Sequence, residues 1–107
     1  PERRLFFGFD PFASNWKNCR IEMELTQTEK FFFLDKMGHS TAVFDGKIYV
    51  FAGRFSSDLN DVLVIDVENN SLKGLKIGGP QTDHPKPRRR HCAAFVGSCM
   101  IIFGGFN

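Results

Sequence analysis

Apolar residues in this chain recur at alternate positions or in short runs, and no stretch shows a convincing helical period. Cys19-Arg20-Ile21-Glu22-Met23-Glu24-Leu25 alternates strictly, which puts Cys19, Ile21, Met23 and Leu25 on one face of a strand. Further strands are predicted over Arg4–Gly8, Glu29–Leu34, Ser40–Phe44, Lys47–Ala52, Asp61–Val67, Ser71–Ile77, Cys92–Val96 and Cys99–Phe103. Turn residues separate them at Asp45-Gly46, Glu68-Asn69-Asn70 and Gly97-Ser98. Asp-Gly between apolar runs is a strong hairpin signal, because a tight type I′ turn needs positive φ at both central residues. Gly78–Pro87 holds three prolines and is predicted to be loop or linker, since proline removes donors and fixes φ.

Two stretches repeat. Gly38–Gly53 and Arg90–Gly105 align without a gap at an offset of 52 residues, and a weaker copy at Arg4–Gly8 places Phe7 44 residues before Phe51. A period of this length, with four short strands in each unit, points to a radial β-repeat. Two-residue turns at Asp45-Gly46 and Gly97-Ser98 set the pairing. His39 then faces Ala52, and His91 faces Gly104. Cross-strand partners project from the same face, so each histidine is expected to lie over a residue with little or no side chain.

Composition narrows the class. The chain has 107 residues, enough for one small domain, and its 42% hydrophobic and 24% charged residues exclude disorder as the main state. Thirteen of its fifteen aromatic residues are Phe, which favours strands. No apolar run approaches the roughly 20 residues of a membrane helix. Three cysteines without framework spacing argue for a reducing compartment. The chain opens Pro-Glu-Arg-Arg with no basic-then-apolar leader and stops after a glycine pair, and we expect an excerpt of a larger protein.

Charge is concentrated in one place. Lys86, Arg88, Arg89 and Arg90 fall within five positions, and without them the balance of fourteen basic to twelve acidic residues becomes ten to twelve.

The repeat resembles the kelch repeat family. The residues that carry the likeness are the His of each copy, the apolar strand ending in Ala52-Gly53 or Gly104-Gly105, Asn60-Asp61-Val62-Leu63-Val64-Ile65-Asp66, and Pro87-Arg88-Arg89-Arg90-His91. The likeness is strong over Met37–Asn107 and weaker over 1–36; Ala52 stands for the first Gly of the doublet, Leu72 for a usual Trp, and Gly8-Phe9 for the doublet of the first copy. It implies an all-β fold of kelch-type β-propeller blades, each of four antiparallel strands with the first innermost. Residues 1–36 would be the last three strands of one blade, 37–79 a complete blade, 80–87 a Pro-rich inter-blade loop, and 88–107 the inner hairpin of a further blade. Two and a fraction blades do not close a ring of about four to eight. The rest of the propeller would come from the same chain or from other copies.

The resemblance also implies a function: a non-catalytic protein–protein interaction module, a scaffold or adaptor such as a ubiquitin-ligase substrate receptor, binding peptides through rim loops. Those loops would be Leu34–Gly38, Gly78–Arg90, Asp10–Asn18 and Arg54–Asn60. Arg54, Arg88 and Arg89 are the candidate partner-binding residues, expected to share one rim and face solvent, where guanidinium groups hold carboxylates of an acidic ligand. Arg90 is expected to be held by neighbouring loops. His39, Gly53, His91, Gly104 and Gly105 are candidate structural residues of the repeat. The lead-in form Gly-x-x-Pro-Arg-x-x-His is typical of intracellular kelch proteins without a BTB domain, so cytoplasm or nucleus is expected. The alternative is a secreted copper oxidase of the galactose-oxidase type, but such a site needs tyrosines and the only one is Tyr49.

Other chemistry is weaker. His84, His91, Cys92 and Cys99 are zinc-ligand types, yet Cys92 and Cys99 would sit about 13 Å apart along the sheet, at roughly 3.3 Å per residue. Asp61 with Asp66, and Glu22 with Glu24, alternate with apolar neighbours as solvated strand positions do. A net charge of +2 without aromatic interleaving of the basic run argues against nucleic acid. No catalytic residue, metal, cofactor, nucleic-acid partner or membrane partner is expected.

Overall fold

The computed structural model describes residues 6–30, 36–55 and 57–106. Among the described residues, nine strands form three sheets. β1 (Phe7–Asp10) pairs antiparallel with β2 (Asn15–Asn18). A five-stranded middle sheet holds β3 (Glu22–Glu24), β4 (Ser40–Phe44), β5 (Lys47–Phe55), β6 (Ser57–Asp66) and β7 (Ser71–Gly74), in the order β3-β7-β6-β5-β4. β8 (Cys92–Val96) pairs antiparallel with β9 (Cys99–Phe103). β4 to β7 form the antiparallel four-stranded blade, and the first strands of the two clear repeats, β4 and β8, lie beside each other.

The pairing follows the turns. Asp45 and Gly46 both take positive φ, 50° and 72°, as a type I′ hairpin requires. Ser40 faces Phe51 and Phe44 faces Lys47; beyond them Met37 bridges Arg54 in the same register. In the second copy Cys92 faces Phe103, Val96 faces Cys99, and Arg89 bridges Phe106. His39 and His91 therefore fall opposite Ala52 and Gly104, as expected.

The middle sheet buries both faces. Val50, Phe51, Leu63, Val64 and Ile65 are all buried, a run rather than an alternation. One face presents Ile48, Val50, Leu63, Ile65 and Leu72, covered by Phe6, Ile21, Met23 and Leu25. The other presents Ser40, Ala42, Phe44, Tyr49 and Phe51 to the β8–β9 hairpin. There the Phe95 ring stacks on Phe44 at 4.9 Å between centroids and meets Tyr49 edge-on at 5.2 Å. Such aromatic pairs contribute beyond their buried area.

Several local expectations need correction. The predicted strand over Glu29–Leu34 is helical where it is described, at 27–30. Its signal is a capping box: Thr26 Oγ accepts from the Glu29 backbone N–H at 3.1 Å, and Glu29 Oε1 accepts from that of Thr26 at 2.8 Å. Asp10–Asn18, read as a rim loop, contains β2. Asp10 Oδ1 closes the turn by accepting from the Phe12 and Ala13 backbone N–H groups, and Trp16 packs edge-on against Phe9 at 5.2 Å. Arg54–Asn60, also read as a loop, is mostly ladder, because β5 and β6 continue past the buried stretch as a long hairpin. β3 does not pair with β1 or β2. It adds parallel to the outer strand β7, which brings Met23 onto the apolar cluster around Leu72. Within the Pro-rich stretch, Gln81–Asp83 form one 3-10 turn. The strand expected at Arg4–Gly8 is described only from Phe6 onward, and of the loop expected at Leu34–Gly38 only 36–38 is described.

Candidate functional site

One end of the molecule gathers the basic residues. Where β5 leaves its hairpin with β4, and where the chain approaches β8, five segments interlock through backbone hydrogen bonds. Met37 and Arg54 exchange N–H···O bonds of 3.0 and 2.8 Å. The Gly53 N–H donates to the Arg88 carbonyl at 3.0 Å, and the Arg88 N–H to that of Leu59 at 2.9 Å. Arg89 and Phe106 exchange bonds of 2.8 Å, and the Arg90 N–H donates to the Gly38 carbonyl at 2.7 Å. The lattice brings the backbones of Arg54, Arg88 and Arg89 to the same rim.

Their side chains differ. Arg54 is exposed. Arg88, expected to face solvent, is instead half-buried. Its Nε donates to the Lys86 carbonyl at 3.0 Å and its Nη1 to the Gly104 carbonyl at 3.2 Å. This guanidinium ties the approach to β8 to the bend after β9 through two carbonyls. Arg89 is half-buried, with its guanidinium carbon 5.9 Å from the Phe106 ring centroid, a cation–π distance. Arg90, expected to be the held one, has an exposed side chain on a backbone at φ 55°.

Deeper in the same region, Lys36 is buried and its ammonium lies 3.6 Å from the Asp61 carboxylate. Burial lowers the Lys36 pKa, and the Asp61 charge resists that shift. His39 is exposed; what burial its ring has, together with the Lys36 charge, lowers its pKa.

His91 is the buried histidine. Its Nε2 lies 2.6 Å from Ser40 Oγ and 3.1 Å from the Phe51 carbonyl oxygen, both on the middle sheet, and its ring meets Phe51 edge-on at 5.1 Å. A carbonyl only accepts, so Nε2 carries the hydrogen and donates to it. Nε2 therefore cannot take a proton from Ser40, and buried Nδ1 has no partner to orient the ring as a base. The pair joins two sheets rather than forming a nucleophile and its base.

The glycine doublet shows what the small residues do. A Cβ on Gly53 would meet the Met37 carbonyl oxygen at 3.0 Å and the His39 Cβ at 3.1 Å; on Gly105 it would meet the Arg89 carbonyl oxygen at 2.7 Å and the His91 Cβ at 2.9 Å. Close approach to the histidine is thus at the second position, not at Ala52 or Gly104 as the register alone suggested. The first position is conformational: Ala52 and Gly104 have φ of 57° and 75°, and nothing lies within 4 Å of a Cβ on Gly104.

The cysteines do not converge. Cys92 and Cys99 are exposed at opposite ends of the outer face of β8–β9, while His84 donates from Nε2 to the Gly78 carbonyl at 2.9 Å. Tyr49 lies in the sheet interface against Phe95.

A four-stranded antiparallel blade with a second hairpin packed first strand to first strand against it, and with His and a small-residue–Gly pair recurring at matching positions, defines the kelch class of β-propeller repeat. The family model described as the KLHDC2/KLHL20/DRC7 Kelch-repeats domain matches residues 5–107, and the chain belongs to this family. It is 26% identical over 100 residues to Kelch domain-containing protein 3 of Homo sapiens, covering 91% of this chain and 24% of that protein. It is 38% identical over 74 residues to tRNA wybutosine-synthesizing protein 2/3/4 of Oryza sativa subsp. japonica, covering 67% of this chain and 7% of that protein. It is 37% identical over 60 residues to Host cell factor 2 of Homo sapiens, covering 56% of this chain and 7% of that protein.

Proposed function

We propose that the chain is part of a non-catalytic protein-binding propeller, a scaffold or adaptor whose contact surface is the rim built by Arg54, Arg88 and Arg89. A tRNA wybutosine-synthesizing protein and a host cell factor share the repeat, which favours a common binding framework over a common reaction. The observation that carries the site is the backbone lattice that holds two arginine-bearing segments, at Arg54 and at Arg88-Arg89, at one end of two adjacent blades. In this reading Arg54 and Arg89 meet the ligand and Arg88 fixes the frame beneath them. Clustered guanidinium groups on a chain otherwise slightly acidic create a local positive field, which steers and orients carboxylates of an acidic peptide. A substrate receptor of a ubiquitin ligase, working in cytoplasm or nucleus, is the adaptor role we favour. The remaining blades come from the rest of the polypeptide.

The test is affinity capture with the full-length protein, partners being identified by mass spectrometry, followed by binding measurements with Arg54 and Arg89 both reversed to Glu. Loss of binding at an unchanged melting temperature supports the proposal. Binding that survives both reversals, or a fold that collapses with them, makes these arginines structural.

A further inference from the structure

We propose that His91 is an acid-released latch between neighbouring blades: adding a proton to its ring detaches the β8–β9 hairpin from the middle sheet. The geometry leaves the ring one usable state. Nε2 donates its hydrogen to the Phe51 carbonyl, with Ser40 Oγ at 2.6 Å on the same nitrogen. Nδ1 is buried and has no acceptor within reach. The neutral ring fits, because an Nδ1 without hydrogen loses only a weak partner. The protonated ring has a second N–H, and that donor would be buried unpaired together with a charge.

The surroundings make the charge less welcome. β5 presents the Phe51 ring and carbonyl to His91, β4 presents the Ser40 hydroxyl, and the chain after β9 presents the backbone of Gly105. The charged or titratable groups that act on it are Arg88, just before it in the chain, and His39, at the start of β4; both repel a cation. Burial is the largest influence, and the ring titrates below its ordinary value of 6.5. The sign follows. A histidine with a lowered folded pKa stabilises the folded contact fully above the unfolded value, and that contribution is lost as pH falls through about 6.5 and below. His84 bonds within its own loop, to the Gly78 carbonyl, and bridges no sheet, so it serves as the control.

The experiment is amide hydrogen exchange on the full-length protein at about pH 7.5 and about pH 5.5, corrected for intrinsic rates, with β5 amides as internal reference. Protection of the β8–β9 amides should fall about fivefold to tenfold at the lower pH. His91→Gln, neutral throughout, should flatten that response, and His84→Gln should keep it. Equal loss of protection in His91→Gln, no loss in the unsubstituted protein, or abolition by His84→Gln overturns the proposal. Should His91→Gln not fold, NMR titration of the histidine rings decides: a His91 ring titrating at or above 6.5 also overturns it.

Discussion

The β4–β5 and β8–β9 hairpins share a sequence pattern, turn length and register, yet occupy different environments. On β4–β5 the face of Ser40, Ala42, Phe44, Tyr49 and Phe51 is covered by His91 and Phe95 of the second hairpin. The matching face of β8–β9, with Cys92, Ala94, Val96, Cys99, Ile101 and Phe103, is covered by none of the described residues; Val96 is 68% and Phe103 59% exposed there. Cys92 replaces Ser40, and the Phe103 carbonyl corresponds to the Phe51 carbonyl that receives His91. A repeat of this kind makes each hairpin both plug and socket, so local sequence determines the hairpin while the neighbour decides which residues are core.

The doublet allows the comparison to be broken at one residue. Gly105→Val should have the largest effect. Its Cβ would lie 2.7 Å from the Arg89 carbonyl oxygen, a backbone atom that cannot rotate away, on a residue at φ 94°. A β-branched side chain there should cost roughly 3 kcal/mol or more, read from chemical denaturation. The first copy is slightly roomier, at 3.0 Å from the Met37 oxygen, so Gly53→Ala should cost less than Gly105→Ala. The reverse order would mean that the two doublets are not held alike.

Ser40→Ala and Cys92→Ala sharpen the comparison at the socket. Ser40 lies on the buried Nε2 of His91, so losing its hydroxyl should cost about 1 kcal/mol. Cys92 occupies the same repeat position on the face that none of the described residues covers, and its truncation should stay within about 0.5 kcal/mol. Equal effects would show that a further blade seats on β8–β9 as β8–β9 seats on β4–β5.

The hairpin registers and the alternation of Ile21, Met23 and Leu25 were readable because tight turns and period-two apolar positions are local properties. The extent of β5 and β6 was not. Arg54, Ser57, Asp58 and Asn60 carry loop-like composition, but pairing propagates outward from the buried run at Val50 and Leu63. The candidate rim was legible as a charge cluster, whereas the fates of its side chains were not. Arg88 reaches the Gly104 carbonyl, sixteen residues away, and only the three-dimensional path of the chain brings the two together. Thr26-x-x-Glu29 is a local capping signal for the helical segment, and the Phe-rich sequence that follows carries the opposing strand signal.

The smallest expected effect is the most discriminating about the first doublet position. Gly104→Ala places a methyl where nothing lies within 4 Å, so only the left-handed backbone at φ 75° opposes it, at about 1 kcal/mol. Ala52 already bears that strain at φ 57°, at a point where the β5–β6 register shifts between Phe51 and Gly53. Ala52→Gly relieves it but gives up a methyl that is 0% exposed, worth roughly 0.8 kcal/mol. The added freedom of glycine in the unfolded chain opposes the substitution as well. The terms nearly cancel, and the melting temperature of Ala52→Gly should scarcely move while that of Gly104→Ala falls. A clear gain in Ala52→Gly would mean that the buried methyl contributes little, and that Ala52 persists in the first copy against its own backbone preference.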